Sequence, residues 1–149
     1  MTGLFRLKNG ALPIANVLQA QGDLEMRTAK LKEAEAHYKE SEELYRRIHA
    51  DLGLANVLQA QGDLLQKKAD YRNALDVYMD AIELYEKTGG MIGLAYSLSE
   101  LCYCYAKTSD VGNVATCAEK VETILKGLPY KNVKAYCKNK IRSALELIG

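Results

Sequence analysis

The segment ANVLQAQGDL, residues 15–24, recurs unchanged at residues 55–64. Ala95 and Ala135 continue the series at the same 40-residue offset, and Pro13, Gly53 and Gly93 stand ahead of the successive copies. Self-similarity at a fixed period of this length is the mark of a repeat array, in which each unit buries its apolar face only by stacking on its neighbours. The rest of the chain takes its place from that offset.

A chain of 149 residues with 48% apolar side chains has ample material for one core, so a disordered or fibrous class is disfavoured. The 20 basic and 19 acidic side chains nearly cancel, which removes whole-chain charge as an argument for nucleic acid or membrane. Charge is uneven, however. From Lys126 onward, Lys126, Lys131, Lys134, Lys138, Lys140 and Arg142 face Glu146 alone. This segment reads either as a solvated terminal helix or as a contact for an acidic partner. No apolar run reaches the roughly 18 residues of a membrane span, and residues 1–10 lack the apolar centre of a signal peptide. Cys102, Cys104, Cys117 and Cys137 match no paired zinc spacing. They read as small apolar fillers, no metal or cofactor is implied, and a reducing, cytoplasmic location is expected.

Period-3.6 apolar spacing predicts seven helices and no strand. The first is expected from about 12 to 27 and the second from 29 to 48; the second pair covers 52–68 and 70–87. A third pair is expected at 92–107 and 110–126, with Ser109 or Asp110 as a cap, and a last, unpaired helix at 133–148. Units then run at about 11–50, 51–90 and 91–130, with a capping helix at 131–149. Gly10 and Pro13 suggest a helix stop and restart. Residues 4–8 align with the ends of second helices, Leu4, Phe5 and Arg6 falling on Leu44, Tyr45 and Arg46, so that the chain reads as beginning inside a preceding repeat.

Within the second unit Gly62 is followed by Ala74, Tyr78 and Ala81; the first unit has Gly22, Ala34, Tyr38 and Ser41, and the third Cys102, Val114, Ala118 and Val121. Two helices joined by a short turn approach closely only where the crossing residues are small, and a large ring one turn on fills the adjoining hollow. With Leu58 before the glycine and Tyr71 before the alanine, this pattern resembles the tetratricopeptide repeat over nearly the whole chain. The 40-residue period resembles the longer-repeat branch of that family. HEAT-type repeats share the length but not the Gly, Ala, Tyr, Ala spacing. The resemblance implies an all-α, right-handed solenoid of three antiparallel helix pairs plus a C-terminal capping helix, with Gly22, Ala34, Tyr38, Gly62, Ala74, Tyr78, Ala81 and Cys102 at the crossings. Arg142 stands at the position of Gly62 in the last helix, which suits a solvating cap.

In that family the first helix of each pair lines the concave wall. Carried over, this places Asn16, Gln19 and Asp23 there in the first unit and Asn56, Gln59 and Asp63 in the second. Tyr96, Ser99 and Tyr103 continue the wall in the third unit, and Tyr136 and Asn139 in the cap. At about 100° per residue the Asn, Gln and Asp of each copy fall within a stripe roughly 60° wide. Their donors and acceptors suit a peptide backbone, and the tyrosines offer flat contact with a polar tip. A non-catalytic protein- or peptide-binding scaffold is therefore expected, as a segment of a larger regulatory or scaffold protein. The alternative is a structural, self-associating module. The second helices of the two identical copies agree at only 6 of 17 positions, 29–45 laid on 69–85, so the first helix is the one held constant. His37 and His49 have no Ser or Cys at a nucleophile–base spacing, and Gly89–Gly90 is not a phosphate loop, so no enzyme is expected. The partners expected are a protein or peptide and, through apolar Leu4, Phe5 and Leu7 at the N-terminal end, a second copy in a homodimer; neither nucleic acid nor membrane is expected.

Overall fold

The computed structural model describes the backbone from residue 3 and side chains from residue 9, in each case through residue 149. These described residues form seven α-helices and no strand: α1 (Gly3–Arg27), α2 (Leu31–Arg47), α3 (Asp51–Lys67), α4 (Tyr71–Thr88), α5 (Met91–Lys107), α6 (Val111–Lys126) and α7 (Lys131–Ile148). Links of two to four residues force consecutive helices to run antiparallel. The pairs α1/α2, α3/α4 and α5/α6 stack through α2–α3 and α4–α5 contacts into an all-α helical-repeat solenoid.

The links are alike for a backbone reason. Ala29, His49, Ala69, Gly89 and Ser109 all take positive φ, between 55° and 79°, one every 20 residues. At each, the next residue's N–H reaches back five residues, as Lys30 does to the Glu25 carbonyl (2.8 Å) and Asp70 to that of Leu65 (2.9 Å). This closes the helix end by satisfying carbonyls that would otherwise be orphaned. Ser109 thus ends a helix, while Asp110 caps the next one by accepting from the Asn113 N–H (3.3 Å), and Asp70 does the same for Asn73. Residue 129, the next in the 20-residue series, is proline, whose φ is locked near −65°. The link into α7 is accordingly different, with Gly127 at φ −91° and Tyr130 extended. α7 packs more on α5 than on α6, whereas α5 packs closely on α4 and barely touches α3.

The expected stop and restart at Gly10 and Pro13 does not occur. α1 is one helix of 25 residues with Pro13 inside it. Proline deletes one hydrogen bond from the ladder, and Gly10 does not adopt the positive φ of a helix terminator. Residues 4–8 are continuous with α1 rather than the end of a separate helix. The side chains of Leu4, Phe5 and Leu7 lie outside the described residues.

The core runs the length of the stack. Tyr38, Tyr45, Tyr78 and Tyr85 are its largest members, each no more than 2% exposed. Each such ring contributes roughly 1.5–3 kcal/mol of burial. The crossing residues Ala34, Ala74, Ala81 and Cys102 are fully buried around them. Cys104, Cys117 and Cys137 are also buried and free, and burial pushes the thiols of Cys102 and Cys104 up to about 12. None of the described helices is long and apolar enough to cross a membrane.

Candidate functional site

The four core tyrosines explain the repeated decapeptide. A Cβ on Gly22 would lie 2.5 Å from the Tyr38 ring, and one on Gly62 would lie 2.6 Å from that of Tyr78. Gly53 and Gly93, at the start of the next pair, are pressed in the same way by Tyr45 and Tyr85. Each ring passes through a gap that only glycine leaves open. Its hydroxyl emerges on the wall formed by the first helices, where it must find an acceptor.

Those acceptors are the side chains that the sequence assigned to a partner. The Tyr45 hydroxyl donates to Asn16 Oδ1 (2.6 Å) and Gln19 Oε1 (3.1 Å), and that of Tyr85 to Asn56 Oδ1 (2.6 Å) and Gln59 Oε1 (2.8 Å). Tyr38 donates to Asp23 Oδ1 (2.6 Å), and Tyr78 to Asp63. The amide oxygens of the wall are therefore engaged within the fold. What Asn16, Gln19, Asn56 and Gln59 still hold out is their NH2 groups.

Three hollows lie along this wall. Asn16, Gln19 and Asp23 border one between α1 and α3; Asn56, Gln59 and Tyr96 border a second between α3 and α5. The central hollow, about 390 Å³, takes side chains from α1, α3, α5 and α7 and brings together Asp23, Asp63, Tyr96 and Tyr136. Tyr96 and Tyr136 stack there at 5.2 Å between centroids, 17° from parallel. Asp63 also accepts from the Tyr96 hydroxyl (3.0 Å). Its desolvation outweighs the tyrosine donors and, with the nearby Glu100 charge, pushes its carboxyl up to about 7. Burial next to these carboxylates pushes the hydroxyls of Tyr78, Tyr96 and Tyr136 upward as well, so they act as donors.

The sequence reading missed the anchor of this hollow. Glu100 is 2% exposed and accepts from Gln66 Nε2 and the Tyr136 hydroxyl, with Lys140 Nζ at 3.2 Å. The offset held a signal: positions 20, 60, 100 and 140 read Ala, Ala, Glu, Lys, an opposed pair on neighbouring first helices.

Three assignments change. Ser99 is fully buried and donates to the Ala95 carbonyl (2.8 Å) of its own helix, so it offers nothing to a partner. Tyr103 lies outside the hollow, edge-on to Tyr71 at 6.4 Å with Lys140 Nζ 4.2 Å over its ring. Asn139 is exposed, but it borders none of these three hollows and accepts from Arg142 of its own helix (3.4 Å). His37, for which the sequence offered no nucleophile, pairs instead with Glu25 across α1 and α2. His49 sits in a link at φ 55°.

A sequence model of the family described as "Tetratricopeptide repeat" matches residues 11–87, just over half of the 149-residue chain. No curated protein matches. Among solved structures, the crystal structure of BtubC (BKLC) from P. vanneervenii is similar with a TM-score of 0.70 at 18% identity, over 78% of this chain and 50% of that one. This chain thus spans about half the length of that relative. At such identity the likeness is one of fold.

Proposed function

We propose that this chain, which belongs to the tetratricopeptide repeat family, is a non-catalytic scaffold segment that holds a protein or peptide along the wall of its first helices. The observation that carries the reading is the division of labour in the repeated amides. With their oxygens held by Tyr45 and Tyr85, Asn16, Gln19, Asn56 and Gln59 present a row of N–H donors suited to the carbonyls of a bound backbone. The stacked pair Tyr96 and Tyr136 beside them supplies flat apolar contact.

The double substitution Asn16→Asp and Asn56→Asp separates binding from folding. It keeps the oxygen that each tyrosine needs and removes the outward NH2, whereas alanine would lose both. Peptides selected from a display library against the unaltered protein are expected to bind this variant more weakly, by roughly 0.5–1.5 kcal/mol per lost bond, with melting little changed. Failure to select any peptide, or equal affinity for both proteins, refutes the reading.

Self-association is the second reading, and one observation favours it. Ile14, Val17 and Leu24 of α1 are 55%, 64% and 55% exposed, while their counterparts Leu54, Val57 and Leu64 are at most 6% exposed beneath the preceding pair. The outer face of α1 therefore has the character of a stacking face. Sedimentation over a wide concentration range, with and without Val17→Ser, distinguishes a homodimer through this end from a monomeric scaffold.

A further inference from the structure

The basic C-terminal stretch is not used by the wall. As α7 leans toward α5, a groove of about 530 Å³ opens between α6 and α7. Leu125 and Ile141, nearly buried, and Leu145, 45% exposed, give it apolar walls. Lys126, Lys134, Lys138 and Arg142 border it against the single acid Glu122. None of the four cations makes an ion pair among the described residues; Arg142 only donates weakly to Asn139.

Comparison along the repeat shows how particular this face is. Lys134, Lys138 and Arg142 stand where the earlier first helices carry Leu54 and Leu94, Leu58 and Leu98, and Gly62 and Cys102. All six of those are buried. A stripe that elsewhere packs against another helix is here cationic while its neighbours Ile141 and Leu145 stay apolar. A polar stripe of either sign would keep an apolar helix from packing on this face; four cations around a leucine-lined groove add a demand on sign.

We infer that the α6–α7 groove docks an acidic amphipathic helix of a partner protein, its leucine-type residues on Leu125, Ile141 and Leu145 and its carboxylates on the rim of Lys126, Lys134, Lys138 and Arg142. From Lys134 to Leu145 the groove runs roughly 16 Å at 1.5 Å per residue, so the docked segment is about three turns long. Charge complementarity supplies the sign and the encounter rate, and the apolar floor supplies the hold. No aromatic ring lines the groove, which leaves nothing on which a nucleic-acid base would stack. Leu125 and Ile141 lie recessed between the two helices, where a flat lipid surface does not reach them.

The test uses the full chain and three fluorescein-labelled peptides of about 14 residues, long enough for the three turns required. The first carries leucines at i, i+4 and i+7 with glutamates on both flanks. The second has lysine for every glutamate, and the third has serine for every leucine. Anisotropy is expected to show the first binding at least about tenfold more tightly than either of the others, a difference of about 1.4 kcal/mol. Lys134→Glu with Lys138→Glu and Arg142→Glu is expected to reverse the preference toward the lysine peptide. Leu145→Ser, at an exposed site that does not threaten folding, should weaken the first peptide and leave the serine peptide unchanged. Asp63→Asn, on the opposite wall, should leave all three unchanged, which keeps this result separate from the scaffold reading. Equal binding of the glutamate peptides with and without leucine overturns the inference, as does tighter binding of phosphatidylserine vesicles or a single-stranded oligonucleotide than of the first peptide. Should the triple variant fail to fold, the peptide series and Leu145→Ser still decide.

Discussion

The fit of Tyr78 under Gly62 can be tested by an exchange that the chain itself has already made. A Cβ at Gly62 would lie 2.6 Å from Tyr78 Cε1, 2.7 Å from Cζ and 2.9 Å from Cδ1, against about 3.5–4.0 Å for comfortable carbon contacts. The ring would have to retreat by about 1 Å on that scale, yet it is fully buried and its hydroxyl is tied to Asp63 and Gln66. Gly62→Cys should therefore destabilise by roughly 1–3 kcal/mol through overpacking, offset by less than about 1 kcal/mol of helix propensity. Tyr78→Ala should cost about 3–5 kcal/mol through the cavity it leaves. Made together, the two reproduce the pair Cys102 and Ala118 of the third unit, where the thiol rests against the Val114 carbonyl (3.5 Å) in a closed crossing. The double variant should lose at least about 1 kcal/mol less than the sum of the singles, as contacting residues do. Urea unfolding followed by far-UV dichroism measures this from the midpoints at a common slope. Additivity within about 0.5 kcal/mol would refute the coupled fit. Gly112→Ala is the control, because a Cβ there meets nothing within 4 Å; it should be neutral or stabilise by up to about 1 kcal/mol.

Two further outcomes follow from backbone and charge. Asp63 has a folded-state carboxyl raised to about 7 by burial, so the fold favours its protonated form, and stability should fall as pH rises from about 4 to about 7. Asp63→Asn should flatten that slope and raise stability at pH 8, and an unchanged slope in urea titrations would count against the assignment. Ala69→Gly relieves a left-handed alanine at φ 57° and should stabilise by about 0.5–1 kcal/mol, while Gly89→Ala at φ 79° should cost about 1 kcal/mol; thermal melting that shows both changes neutral would remove the strain argument.

Much of the fold was legible because a copied decapeptide reports its own period, and because Gly62, Ala74 and Tyr78 have a spacing that only a close helix crossing explains. The break expected at Gly10 and Pro13 shows the limit of local signals. A glycine stops a helix only where the chain needs a positive φ, and Gly89 meets that need while Gly10 does not. The site was harder for a related reason. From sequence, Asn16 and Asn56 look like outward-facing polar residues on one stripe, and they are. Nothing in that stripe says that Tyr45 and Tyr85, 29 residues further on, reach through the helix layer to grip their oxygens. Ser99 could be misplaced because a single hydroxyl can face its own helix as readily as a partner.

The third unit shows that the polar wall and the buried rings are one device. Where α2 and α4 carry tyrosines, α6 has Ala118 and Leu125. With no hydroxyl to satisfy, the Asn, Gln and Asp of the first helix give way to Tyr96, Ser99 and Tyr103, and the glycine gap closes to Cys102. The aromatic residues of this unit belong to the first helix instead, so Tyr96 stacks on Tyr136 rather than being threaded under a glycine. Glu100 then takes the hydroxyl of Tyr136 and the amine of Lys140, drawing α7 toward α5. Pro129 permits the move, since it cannot adopt the left-handed turn that sets the earlier helices in register. The same displacement that completes the central hollow on one side of α7 opens the basic groove on the other. A change that returned α7 to the regular stacking position would therefore be expected to alter both surfaces at once.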